Sequence, residues 1–154
     1  MMYCNWSGLR NLIPYGMFVL FLLTAYGCSR QMQISVVSSN DVNNGGNPVV
    51  VRIYQLKSDV NFQRASIEAF WSDDTGTLGG DLIGDPIEVT MRPDETRRLQ
   101  SVDIEDDAVY LAAAADFYRP DQNRWRHIFD ITEYKGKEVF VLVGNNRIAI
   151  SPPR

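Results

Sequence analysis

The sequence predicts an all-β domain, a sandwich of two sheets built from seven to eight strands, with one added helix at about residues 61–71. Three observations carry this. Short apolar runs recur at intervals of about 8 to 15 residues with turn-forming residues between them. Only one stretch, Phe62–Trp71, places its apolar side chains (Phe62, Ala65, Ala69, Phe70) at helical spacing. No cysteine follows Cys28, so the domain is held by packing alone, without disulfides.

Taken in order, Gln31–Ser38 is a first strand. Ser39–Pro48 (SNDVNNGGNP) is dense in turn formers and lacks periodicity, a loop longer than a hairpin needs. In Val49–Leu56, Val49, Val51 and Ile53 share one face and Arg52 the other. Asp59 or Asn61 is placed to cap the helix, and Ser72–Asp81 is loop. Ile87, Val89 and Met91 alternate with Glu88, Thr90 and Arg92, Pro93-Asp94-Glu95 turns the chain, and Thr96–Asp103 is a more polar strand. The run Ala108–Tyr118 contains four consecutive alanines that favour helix on propensity; its β-like neighbours assign it as a central strand. Trp125, His127, Phe129 and Ile131 alternate along the next strand. Glu138–Val143 suits a strand buried on both faces, and Asn145-Asn146 turns it into Arg147–Ser151.

The N-terminus has a different character. Arg10 is its one charged side chain, Asn11–Gly27 carries none, and small residues precede Cys28. A short positive region, an apolar core and a cysteine form a bacterial lipoprotein signal. Residues 1–27 are then a cleaved leader and 28–154 the exported domain, with a diacylglyceryl group and an N-acyl chain on Cys28. Three acyl chains suffice for stable membrane anchoring. An uncleaved transmembrane helix is the competing reading, although Leu12–Gly27 is short for a span of about 20 residues; a simple secretory signal is a third. Ser29 after the cysteine, where an inner-membrane protein would carry Asp, directs the product to the outer membrane.

After the leader the chain has 14 basic and 19 acidic side chains, a formal charge of −5. That balance argues against nucleic acid and against a polybasic grip on lipid. The catalytic inventory is equally thin. Asp74-Thr75-Gly76 spells the aspartic-protease triplet, but that chemistry needs two such carboxylates and a buried approach, so a solvated turn is expected. Asp73, Asp74, Asp81 and Asp85 match no calcium-loop spacing. His127 is the only histidine, a packed or edge-strand imidazole rather than a base. No nucleophile elbow, phosphate loop or dinucleotide fingerprint occurs. The chain reads as a non-enzymatic binding or scaffolding module without metal or cofactor.

Several segments together resemble the TssJ (SciN-type) lipoproteins of type VI secretion systems: Val49–Lys57 (VVVRIYQLK), the helix through Phe70-Trp71, Gly80-Asp81-Leu82, the turn Arg92–Glu95, Phe117-Tyr118-Arg119, and Asn123–Arg126. Asp94 departs from the family's usual glycine in that turn, a position Asp tolerates. The resemblance implies a transthyretin-like sandwich facing the periplasm, lipid-anchored to the outer membrane through Cys28. It also implies a protein partner, the periplasmic C-terminal region of TssM, and through it TssL, with no small-molecule substrate. The family's partner contact maps onto the first loop, here Asn40, Asp41, Val42, Asn43, Asn44, Gly45, Gly46 and Asn47. The alternative function is a periplasmic module that binds a small ligand or carbohydrate among Tyr54, Trp71, Tyr110 and Trp125.

Overall fold

The computed structural model describes residues 30–134, 136 and 138–151; the leader and Cys28 lie outside the described residues. Eight strands form two four-stranded sheets. They are β1 (Arg30–Ser38), β2 (Val49–Leu56), β3 (Leu82–Met91), β4 (Thr96–Ile104), β5 (Tyr110–Ala115), β6 (Arg126–Asp130), β7 (Val139–Val143) and β8 (Ile148–Ser151). One sheet has the order β4-β1-β7-β8, the other β3-β2-β5-β6. All pairings are antiparallel except β1 with β7, where Val37 faces Leu142.

The faces follow the alternation in the sequence. Met32, Ile34 and Val36 of β1, Val49, Val51 and Ile53 of β2, and Val139, Val141 and Val143 of β7 are buried. Burying a side chain of this size stabilises by about 1.5–3 kcal/mol. On β7 only one face is covered. Phe140 is half-buried and Leu142 is 43% exposed. The continuous apolar run suggested burial on both faces, but among the described residues no further element packs on the outside of that sheet at Leu142.

The outer face of the other sheet is covered, and by more than one helix. In place of a single helix over 61–71 the chain forms α1 (Val60–Arg64), α2 (Ile67–Ser72) and α3 (Asp74–Leu78). The break has a local cause: Ser66 is extended (φ −75°, ψ 155°), and its hydroxyl accepts from the Ala69 N–H to cap α2. Asp73 caps α3 in the same way, accepting from the Gly76 N–H. The insert brings Phe62 and Phe70 onto Tyr54 and Trp125, with ring centroids 5.1–6.4 Å apart and tilted or edge-on.

Arg126 explains why a tryptophan and an arginine stand together at the start of β6. Its guanidinium stacks 4.8 Å from the Trp125 ring centroid. The same group donates to the carbonyls of Phe62, Gln63 (2.6 Å) and Ala65 (2.8 Å), the unpaired end of α1. The alanines of β5 belong to this layer. Ala112 and Ala114 pair with Tyr54 and Arg52 on the helix-covered face, and Leu111–Ala115 are all fully buried. Small side chains here leave room for the aromatic cluster. β5 is the internal strand that its neighbours indicated, against its helical propensity.

Candidate partner-docking site

The loop after β1 is tightly held. Val42 is buried inside it, and residues 42–45 form a tight turn that Asn43 and Asn44 trace in left-handed conformation. Four consecutive residues have positive φ: Asn43 (51°), Asn44 (59°), Gly45 (101°) and Gly46 (95°). Asparagine is among the few side chains that tolerate this region, and glycine meets no penalty there. A run of turn formers thus encodes a specific left-handed path.

Asn43 is the hub of that path. Only 6% exposed, its amide Nδ2 donates to the Pro48 carbonyl (2.6 Å) and its Oδ1 accepts from the Tyr118 N–H (2.8 Å). Its own N–H donates to Gly144, and the Asn44 N–H donates to Asn145 (2.8 Å). Ser39 accepts from the Asp94 N–H, while the Ser38 hydroxyl engages Arg92 and Glu95 in the β3–β4 turn. Four loops, 39–48, 92–95, 116–122 and 144–147, therefore form one pole of the sandwich. Asp94, in the turn between β3 and β4, has φ 54°.

The loop residues divide by exposure. Asn40, Asp41, Gly45 and Asn47 face solvent, Asn44 and Gly46 are partly covered, and Val42 and Asn43 are buried. As the loop stands, Val42 and Asn43 shape the surface without presenting side chains to a partner. The Asp41 carboxylate is held below its ordinary pKa, first by the Ser39 hydroxyl (2.6 Å) and also by Asn145. Asn44 Nδ2 is buried without a hydrogen-bond partner. Next to the loop runs a shallow groove of about 380 Å³, walled by Val37, Leu142, Ala149 and Arg147.

Two side chains at this pole were not singled out as docking residues by sequence. Tyr118 is 76% exposed, with Arg119 lying 5.5 Å from its ring centroid. Tyr118 follows directly on Phe117, which is 4% exposed, beyond the end of β5 at Ala115.

Elsewhere, three of the aromatic residues considered for a ligand cavity, Tyr54, Trp71 and Trp125, pack on Phe70; Tyr54 and Trp125 are buried, and Tyr110 is partly buried against the core. Asp74 is not a solvated turn residue. It is 9% exposed and accepts from Tyr54 Oη (2.6 Å) and Arg52 (3.0 Å), which fixes α3 to β2. His127 lies on edge strand β6, where Nδ1 accepts the Ile150 N–H of β8 (3.2 Å) and joins the two sheet edges. Among the described residues no group of three or more His, Cys, Asp or Glu could hold a metal ion, and no helix is long and apolar enough to cross a membrane.

The model of the family described as "Type VI secretion lipoprotein, VasD, EvfM, TssJ" matches residues 30–146. The chain belongs to this family. Among solved structures, the type VI lipoprotein TssJ1 of Pseudomonas aeruginosa matches with a TM-score of 0.71 and 26% identity, over 82% of this chain and 98% of the other. A chain in a structure described as a type VI membrane complex matches at TM-score 0.72 and 27% identity, over 80% and 99%. A chain in a structure described as the TssM C-terminal domain (869–1107) from EAEC matches at 0.69 and 25%, over 80% and 98%. No curated protein matches. As a TssJ-family lipoprotein the chain is a component of the type VI secretion membrane complex, and the family is a structural one rather than a family of enzymes.

Proposed function

We propose that this TssJ-family member is tethered to the outer membrane by acyl chains on Cys28 and holds the envelope-spanning complex by binding the periplasmic C-terminal region of TssM, and TssL through it. The docking surface is the loop pole, with Asn40, Asp41, Gly45 and Asn47 presented and Val42, Asn43, Asn44 and Gly46 shaping it.

The observation that carries this reading is the direction of β1. The strand begins at Arg30, two residues after Cys28, and ends at Ser38 where the loop starts. At about 3.3 Å per residue the two ends of the strand lie roughly 26 Å apart. A chain that enters at one pole from Cys28 and a firmly held polar surface at the other suit a protein that links a membrane to a partner below it. The EAEC structure adds support. The chain matched there is almost fully covered by 80% of this one, too short to be the stretch 869–1107 itself. A chain of this fold therefore stands in a structure of TssM's C-terminal domain.

The test has two arms. Metabolic labelling with palmitate and mass spectrometry should find a lipidated Cys28 at a new N-terminus, and Cys28→Ser should release a folded periplasmic domain that no longer supports assembly. A pull-down should recover the periplasmic portion of TssM. An intact leader without lipid rejects the tether, and absence of TssM rejects the partner.

A further inference from the structure

We infer that Tyr118 and Arg119 are the anchor point of the docking surface, and that the partner meets them with an apolar pocket whose rim carries a carboxylate. This rests on the reading above that the loop pole engages TssM.

Tyr118 is the most exposed large apolar side chain of the described domain, at 76%; Val60 and Leu142, at 43%, come next. It is nonetheless fixed in place. The Phe117 side chain is buried on its N-terminal side, its own N–H is held by Asn43, the Asp116 N–H donates to Val50, and the Asp121 N–H donates to Asn146. The backbone on both sides is anchored while the ring stands in water beside the neighbouring guanidinium. Tyrosine and arginine are enriched among residues that dominate binding energy, because each combines apolar area with directional donors. A backbone fixed beforehand lowers the ordering cost of association.

Arg119 forms no ion pair among the described residues, and its guanidinium presents a planar fork suited to a carboxylate. The pole also concentrates left-handed backbone. Asn43, Asn44 and Asp94 all lie at positive φ, and non-glycine residues keep such geometry only where surrounding structure imposes it, commonly at functional surfaces. The loop 39–48 thereby has a second task, as the clamp that sets Tyr118 outward.

The experiment is calorimetric titration of the full mature lipoprotein in detergent with the purified periplasmic C-terminal region of TssM. Tyr118→Ala should weaken binding about 10- to 30-fold and Tyr118→Phe less than about threefold. Arg119→Glu should weaken it at least about tenfold, and Arg119→Lys less. All four should melt like the parent, since the side chains are exposed. Parent-like affinity for both Tyr118→Ala and Arg119→Glu overturns this inference and leaves the loop reading intact. Failure of the parent itself to bind overturns both.

Discussion

Tyr54 Oη donates to Asp74 Oδ2 at 2.6 Å, joining the second strand to the third helix across the edge of the aromatic cluster. Arg52 reaches the same oxygen at 3.0 Å and Glu88 at 2.8 Å, and its guanidinium sits 5.3 Å from the Trp71 ring centroid. Burial pushes the Asp74 carboxyl up in pKa, but the Tyr54 hydroxyl and the Arg52 charge overcome it and hold it below the ordinary value. Burial, together with Asp74, pushes the Tyr54 hydroxyl far up. A triplet that spells protease chemistry is here a structural clasp.

Removing the clasp's donor should be costly because Asp74 stays buried. Tyr54→Phe is expected to lower stability by about 1–3 kcal/mol in urea titration. A change within 0.5 kcal/mol would mean that water replaces the hydroxyl.

The depressed pKa of Asp74 fixes the sign of an acid effect. The unfolded chain takes up this proton first as pH falls, so the stabilisation is complete well above the unfolded value near 4 and is lost as pH drops through the folded value. Unfolding free energy should therefore fall below about pH 5, and Asp74→Asn should show a shallower acid slope.

His127 makes a separate prediction at milder pH. Desolvation holds its pKa below 6.5, and its Nδ1 is an acceptor only while unprotonated. The unfolded chain again binds the proton more readily, so stability should rise with pH between the depressed value and about 6.5 and level off above. His127→Gln should remove that step, and an unchanged profile would show that the seam between β6 and β8 does not depend on the ring.

Arg126→Met keeps much of the side chain's apolar length but abandons three carbonyls at the end of α1. An expected loss of about 2 kcal/mol should come with faster amide exchange across α1. Ser66→Ala, which removes only the cap of α2, should cost about 1 kcal/mol.

Asn43→Ala leaves the Tyr118 N–H and the Pro48 carbonyl without their partners and puts alanine at φ 51°. A loss of about 2–3 kcal/mol is expected by thermal or urea unfolding. Shortening Ser39–Pro48 would cut the same ties, so it tests stability as much as docking. Substitutions at the exposed Asn40 and Asn47 probe the surface with less disturbance.

The β architecture and the succession of strands along the chain were legible because alternation along each run records which side meets the core. The β5 alanines show the limit of propensity: their intrinsic preference is helical, and only the two layers packed on them explain the strand. The split at Ser66 was within reach of local rules, since a serine three residues before a free N–H is a capping signal, yet the apolar stripe running through it hid the break. Burial of Asp74 was not legible, because its partners Tyr54 and Arg52 lie about twenty residues upstream and meet it only when the helices fold back.

The docking pole divides in the same way. Composition identified 39–48 as a loop dense in turn formers; its left-handed path emerged only in the structure, where Asn and Gly residues take the positive φ that few others adopt cheaply. Which side chains of that turn face outward, and that Tyr118 stands beside it, depended on hydrogen bonds spanning 75 residues of chain. Sequence alone determined what is set by neighbours along the chain: strand periodicity, turn chemistry, the leader's pattern and the family resemblance. Tertiary structure alone decided what is set by distant partners meeting, because burial and pairing arise only when two sheets and a helical insert close over the same space.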